Sequence, residues 1–320
     1  MAAPSRPRLG SLQFYPRKRA EKIIPSVNWT TLKGKVNEQG LLGFLTYKVG
    51  MASVSVKDNT ADSMTKGKKI VIPVSILEVP NMKILSIRFH KNKQVVKEVL
   101  VSNDKELKRA ISVPASLKTF DSEVPRDFDD VTVIAYSIVS QLAFKKTPDL
   151  TELGISGENV AKKLEYVKSL IGKEISVKDF LGKKELLDSR ALTKGHGLTG
   201  PLPRFGLTLK VHKSEKGRRR PGSLGPWHPH HVIFRVPQAG QFGMFTRVAY
   251  NNKVIFTSNI KEKDINPKEG FKHYGVVKGN YLMLKGSVQG PVKRQVLLTA
   301  SFRPTKDMLK KKYEFLEVLK

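Results

Sequence analysis

The sequence predicts a mainly β protein interrupted by an α+β insert, and three observations predict it. Runs dense in Val, Ile, Leu and Phe, such as LLGFLTYKVGMASVSV and KKIVIPVSILEV, follow one another from Leu41 with turn-formers between them. Between 91 and 175 the composition changes: fourteen Lys or Arg are balanced by thirteen Asp or Glu, and an apolar stripe of helical period emerges. Beyond Lys173 the β runs resume, so one all-β unit interrupted by an insert is the simplest layout.

Residues 1–35 hold eight Lys or Arg against Glu21 alone. Two readings stand: a disordered, solubilising tail, or an arm whose Leu12, Phe14, Tyr15 and Trp29 stack on bases or anchor it as it folds on a partner. The first β runs turn at Asp58-Asn59 and Pro80-Asn81, and Pro73 confines its run locally to an edge or a bulge. In the insert, Asn103 with Glu106 predicts a capped short helix through Arg109, and VTVIAYSIVSQLAF (131–144) reads as a strand buried on both faces. Val160, Leu164, Val167 and Ile171 predict a helix from about Glu158, with Lys162, Lys163 and Lys168 off its apolar stripe. The acids Asp121, Glu123, Asp127, Asp129 and Asp130 read as a solvated loop. EISVKDFLG, GLTLKVH, HVIFRV, NYLMLKG and RQVLLTASF follow as β runs. Between them RVAY-NN-KVIFTS predicts a hairpin, because Asn251-Asn252 tolerates the positive φ of a type I′ turn. The tail from Arg303 is again rich in Lys, at Lys310, Lys311 and Lys312.

At 320 residues the chain is long enough for a real core, and two structural parts are expected rather than three. Its departure from ordinary composition is one of sign: 58 Lys and Arg oppose 28 Asp and Glu, for a net charge of +30. Membrane surfaces and acidic partners attract such a charge, but a phosphate backbone is the densest polyanion available. No stretch is apolar enough to span a bilayer, and the N-terminus lacks the apolar centre of a secretory signal, so an intracellular, cytoplasmic protein is expected. Pro4, Pro7, Gly10 and Pro16 would break the amphipathic helix of a mitochondrial presequence. With no cysteine, disulfides, thiolate metal sites and cysteine nucleophiles are excluded.

The stretch 194–247 concentrates the chemistry. From Lys194 to Arg235 nine Lys or Arg face Glu215 alone, in a segment built of Gly and Pro rather than of core-forming runs. Gly195-His196-Gly197-Leu198-Thr199-Gly200 matches GxGxxG in letters, yet Pro201 and Pro203 forbid the sustained helix that a dinucleotide site needs. His228, His230 and His231 lack nearby carboxylates or cysteines to complete a metal site. They and Trp227 offer stacking faces and donors for unpaired bases; the competing reading of Trp227 is a core residue. Arg218-Arg219-Arg220 is either a solvated charge run or a phosphate clamp, since guanidinium binds phosphate oxygens in pairs. No catalytic triad, HExxH or paired carboxylate is present in the loop, and neither a cofactor nor a metal is expected. Charge alone does not separate RNA from DNA, so a sequence-independent DNA-compacting protein is the alternative to an RNA-binding one. An RNA-modifying enzyme is a third, and no cofactor site for it is found.

KGHGLTGPLPRFG, GSLGPWHPHHV and AGQFGMFTR, following GSLQFYPRKRA and GFLTYKVGM in that order, resemble the archaeal and eukaryotic form of the universal large-subunit ribosomal protein three family. The likeness covers almost the whole chain, is weakest in the insert, and in length is closer to the archaeal members. It implies a six-stranded translation-protein-type β-barrel interrupted by an inserted α+β domain, with an extended basic N-terminal arm and a long Trp-tipped loop. The implied division is 1–36 basic extension, 37–90 first barrel part, 91–175 insert, 176–302 second barrel part including the 194–247 RNA-binding loop, and 303–320 basic tail. The implied partners are large-subunit rRNA and neighbouring large-subunit ribosomal proteins, with no membrane and no small-molecule substrate. The implied role is structural, early in subunit assembly, with arm and loop reaching toward the peptidyl transferase centre. On this reading RNA meets Arg6, Arg8, Arg17, Lys18 and Arg19 of the arm. In the loop it meets Lys194, His196, Arg204, Lys213, Lys216, Arg218, Arg219, Arg220, Trp227, His228, His230, His231, Arg235, Gln241 and Arg247. Pro203-Arg204-Phe205 departs from the Lys-Arg-aromatic pattern usual in the family. Pro226 and Trp227 stand where bacterial relatives carry a modified glutamine, so no modification is transferred.

Overall fold

The computed structural model describes residues 14–35, 39–114, 116–117, 119–213, 216–228 and 230–319. Arg6, Arg8 and Leu12 of the expected arm lie outside the described residues. The first strands are β1 Gly40–Leu41, β2 Gly43–Asp58, β3 Lys69–Glu78, β4 Met82–Lys91, β5 Gln94–Leu100, β6 Asp130–Ser137 and β7 Leu150–Ser156. The rest are β8 Leu186–Leu192, β9 Gly195–Thr199, β10 Gly240–Gly243, β11 Thr246–Asn259, β12 Asn280–Lys285, β13 Gln295–Ala300 and β14 Tyr313–Leu319. Helices are short: α1 Trp29–Lys33, α2 Phe120–Glu123, α3 Val160–Leu170, α4 Val177–Leu181, α5 Pro201–Phe205 and α6 Lys306–Lys310.

The chain is mainly β, as its apolar runs predict. Strands β13, β8, β11, β12, β3, β2 and β14 pair in that order, and β13 pairs with β2 as well. The hydrogen-bonded path from β2 through β3, β12, β11, β8 and β13 therefore returns to β2. The length of β2 permits this: its Gly43–Tyr47 end meets β13, while its Ser53–Asp58 end meets β14. Each half of that edge is thus covered, and no long row of backbone donors is left open along it. Pro73 pairs with Ser53 of β2, but the β12 ladder on its other side stops at Val74, so the missing N–H falls at a local edge as expected. The turn after β2 is held by Asp58, which accepts from Thr60, Ser63 and Thr65; these donors hold its carboxyl well below the usual carboxylate range.

A second sheet, ordered β1, β7, β6, β4, β5, is antiparallel throughout. Helix α3 packs against β6, with Val167 fully buried and Val160, Leu164 and Ile171 lying against the core, as the stripe predicts. Trp29 and Leu32 of α1 enter the same core beside Leu153 and Ile155. Trp29 is 8% exposed, so its expected stacking on a partner is corrected: the indole anchors the segment in the protein's own interior.

Several local expectations are overturned. Asn251-Asn252 makes no hairpin; β11 runs through both, although Asn251 does adopt φ +58°. The type I′ geometry occurs instead at Asn92 and Lys93 (φ 51° and 66°), joining β4 to β5. EISVKDFLG, read as β, holds α4, because Ser176 and Asp179 form a reciprocal capping box. GLTLKVH and HVIFRV form no strand, since among the described residues of 207–239 none pairs in a ladder. The strand expected over 131–144 ends at Ser137 and turns into a 3₁₀ helix, Val139–Gln141. The short helix near Arg109 is 3₁₀, starts after Asp104 rather than Asn103, and has no side-chain cap. Glu106 instead accepts from the Val139 N–H, which keeps it from capping. Lys163, expected off the buried stripe, is 9% exposed and pairs with Asp130 at 3.2 Å, where Lys33 joins it. The acidic stretch is likewise no merely solvated loop. Glu123 pairs with Lys97, Asp127 with Lys91, and Asp129 accepts from the Asn92 N–H.

Candidate nucleic-acid interface

The chain forms two compact units, 1–21 with 192–246, and 22–191 with 247–320. The first gathers most of the residues singled out in the sequence; Arg247 belongs to the second, where its carbonyl accepts from Gln289 Nε2 at 2.8 Å. Five Lys or Arg in 1–21 and nine in 192–246 face only Glu21 and Glu215 as acids. The contrast with the second unit is electrostatic. There Arg88 bonds Glu98 and Glu152 at 2.8 and 2.9 Å, Lys83 bonds Asp104 at 3.1 Å, and Lys163 bonds Asp130.

The base of the loop is a two-stranded ribbon. Gly240, Gln241 and Phe242 of β10 pair with Thr199, Leu198 and Gly197 of β9, and a bulge then sets Gly243 opposite Gly195. Gly243 has φ +80°, and a Cβ there would lie 1.9 Å from the Lys194 carbonyl oxygen, so only glycine closes this neck. On the ribbon, His196 stacks on Phe242 with ring centroids 4.9 Å apart and planes at 23°. Gln241, half-buried, donates to the carbonyls of Phe242 and Gly243. The Pro-initiated α5 leaves the ribbon and stops after one turn at Gly206, in the left-handed conformation. No long helix opens at the GxGxxG match, in keeping with the two prolines.

Arg204 ties this base together. Its Nε donates to the Gln241 carbonyl at 3.0 Å, Nη1 to Gln238 at 2.8 Å and Nη2 to Arg17 at 3.3 Å. Arg17 returns a bond to the Arg204 carbonyl at 2.6 Å and lies 4.1 Å over the Phe205 ring. Burial, and then the nearby charge of Arg17, lower the Arg204 pKa, but a guanidinium stays charged regardless. Two like charges sit together because carbonyls and a ring face, rather than carboxylates, surround them. The arm is fastened further by Tyr15 meeting Phe234 edge-on at 5.6 Å and by the Ala20 N–H donating to the Met244 carbonyl at 2.9 Å. Residue order alone gives arm and loop as separate projections and does not single out Phe234 and Phe242; the available signal is aromatic residues interleaved with cations.

Beyond α5 the loop is all surface: among the described residues from Pro203 to Phe242 none is buried. Lys18, Arg19, Lys194, Lys213, Lys216, Arg218, Arg219, Arg220 and Arg235 are exposed, as are His228, His230 and His231. Arg218 Nε donates to the Lys210 carbonyl at 3.0 Å, bracing the loop without using up all its donors. Trp227 is 77% exposed, which removes the core reading left open for it. Its ring meets His230 at 4.8 Å and 74°, and His230 meets His228 at 4.8 Å and 81°. Among the described residues no group of three or more His, Asp or Glu side chains is placed to hold a metal ion. Cations with few acids, exposed rings and a Gly- and Pro-rich backbone form a surface suited to phosphates and unpaired bases.

Comparison with known proteins places the chain among its relatives. The large ribosomal subunit protein uL3 of Methanococcoides burtonii is 38% identical over 317 residues, covering 93% of this chain and 92% of that protein. The uL3 of Archaeoglobus fulgidus is 39% identical over 314 residues (94% and 93%), and that of Thermoplasma acidophilum 39% over 307 residues (92% and 91%). The family model for ribosomal protein L3 matches residues 1–112 and 90–317. With nearly the whole length matched on both sides, the chain belongs to the ribosomal protein L3 family.

Proposed function

We propose that this protein is a structural constituent of the large ribosomal subunit in the cytoplasm, where it binds large-subunit rRNA and supports early assembly. Membership of a structural ribosomal family makes it a non-enzyme. The unit of 1–21 and 192–246 is the main RNA-binding surface, with Arg6, Arg8, Arg17, Lys18, Arg19, Lys194, Lys213, Lys216, Arg218, Arg219, Arg220 and Arg235 taking phosphates, joined by Arg247 of the second unit. His196, Arg204, Gln241, Trp227, His228, His230 and His231 order the loop or meet bases, and arm and loop reach toward the peptidyl transferase centre. The closed path of β2, β3, β12, β11, β8 and β13 is the six-stranded translation-protein-type barrel contributed by 37–90 and 176–302, while β1 and β4 of the first part pair in the second sheet. Neighbouring large-subunit ribosomal proteins are its further partners, and the basic stretch 303–320, proposed as a tail, folds as α6 and as β14 against β2.

One observation carries this reading: between Pro203 and Phe242 no described residue is buried, while the segment holds Arg and Lys with a single acid in the sequence. Such a loop repels itself in water and gains stability only when a polyanion surrounds it. Long-range attraction draws the chain to RNA, counterion release supplies affinity, and the loop settles into crevices as it docks. The expected outcome is that the protein sediments with large subunits and is released only at high salt. Recovery in the free fraction at low salt, or a stronger preference for duplex DNA than for structured RNA, would overturn it.

A further inference from the structure

Beyond the part of β2 that meets β13, strands β14, β2 and β3 form a three-stranded face. The registers set Leu319, Ser53 and Pro73 in one row, Glu317, Ser55 and Val71 in the next, and Glu314, Lys57 and Lys69 in the third. Met51 precedes the first row and shares its side, because successive side chains of a strand alternate between faces. The intervening Val54, Val56 and Ile72 are buried in a core cluster with Phe315 and Val318 packed against it, so the rows lie on the opposite face. There Met51 is 50% exposed, Val71 62% and Leu319 43%, beside an exposed Pro73. Apolar side chains that adjoin one another in this way mark a contact surface, where single ones would not.

Charge at the far end of the face is unmet. Lys57 and Lys69 stand directly opposite each other, which costs stability unless an anion lies between them. Among the described residues neither enters an ion pair. Asp58, the acid next to Lys57, is buried with its carboxylate bonded to Thr60, Ser63 and Thr65, and Glu314 accepts from Asn59 at 3.1 Å. A phosphate backbone fits this place poorly: Glu314 and Glu317 lie in the same rows, and the rows hold no aromatic ring on which a base could stack. A carboxylate carried on an apolar protein segment matches both parts of the face.

We infer that this face docks a segment of a neighbouring large-subunit protein, which sets apolar side chains on Met51, Val71 and Leu319 and an Asp or Glu between Lys57 and Lys69. The inference rests on the ribosomal reading above and deepens it by naming a face and the chemistry of its partner. Ser53 and Ser55 run down the middle as a trough between Val71 and Pro73 on one side and Glu317 and Leu319 on the other, so a partner backbone can approach β2 closely.

The chain has no cysteine, so Ser53→Cys, at an exposed position, gives a single attachment point for a benzophenone maleimide. The labelled full chain is assembled into large subunits and irradiated. The expected product is a ribonuclease-resistant adduct with one ribosomal protein, mapped by mass spectrometry to a segment that carries an acid beside apolar residues. Lys57→Glu together with Lys69→Glu is expected to lower the yield of that adduct roughly tenfold or more, as opposed charge at a desolvated pair would. Lys57→Arg with Lys69→Arg is expected to keep it, and both lysines are exposed, so neither change opens the core. A ribonuclease-sensitive adduct, a mapped segment without Asp or Glu, no adduct in subunits that contain the chain, or an equal yield after charge reversal overturns the docking face and leaves RNA binding intact. Failure of the unaltered chain to enter large subunits overturns the ribosomal reading and the face together.

Discussion

Gly154 shows how one missing side chain places another. It lies on β7 opposite Thr132, and a Cβ added there would sit 2.8 Å from Cβ and Cγ of Trp29. The indole fills the space that any larger residue at 154 would need, and this converts a tryptophan within a cationic stretch into a core residue. Gly154→Ala is expected to destabilise the protein by about 1–3 kcal/mol, the usual cost of overpacking. A lower denaturant midpoint at unchanged slope checks it, and disappearance of the effect in a Trp29→Ala background would show the two positions to be coupled. Trp29 meets two glycines across the fold, Gly43 and Gly154, while Trp227 meets histidines at a surface. Arg204 teaches the same lesson. Its residue type suggested a phosphate contact, whereas three of its donors are taken by carbonyls from two distant segments.

At the level of elements, β11 explains why a strong turn signal misled. Asn251 has the left-handed backbone that a hairpin turn requires, but the same conformation serves a kink within a continuous strand. Its N–H donates to Asp188 Oδ1 at 2.9 Å, its Nδ2 to the Arg303 carbonyl at 2.9 Å, and its Oδ1 accepts from Ser301 at 2.5 Å. Asn252 adds bonds to Ser189 and to the Ala249 carbonyl. The strand runs on between β8 and β12, pairing with β12 from Val254 to Asn259. Asn251→Val, a β-branched residue at positive φ, is expected to cost about 1–3 kcal/mol. Asn251→Gly keeps the backbone and loses only side-chain bonds, so its denaturation midpoint falls between the two; an equal midpoint for Val and wild type would refute the strain. Helix α3 was legible because a period of 3.6 needs no partner to be recognised. Helix α4 was not, since five residues are too few to display that period against β-branched composition.

For the molecule as a whole, charge is partitioned. Acids of the second unit engage its own cations, among them Asp130, Glu98 and Glu152, whereas the first unit has almost none to offer. Affinity for RNA is therefore expected to fall linearly in log-log form as salt rises. Replacing Arg218, Arg219 and Arg220 together with Ala should reduce that slope by roughly two to three, near 0.7–0.9 for each phosphate no longer neutralised. A slope equal to that of the unaltered chain would mean that these arginines face only water. β character, the α3 stripe, the concentration of positive charge in 194–235 and the motifs of the family could all be read from residue order. Each is a property of neighbours along the chain: periodicity, local composition or a contiguous string. Return of the strand path from β13 to β2, fastening of arm to loop by Arg17 and Arg204, and the opposite fates of the two tryptophans could not. Those depend on contacts such as the one spanning 187 residues between Arg17 and Arg204, whose pairing leaves no trace in either local sequence until the backbone brings them together.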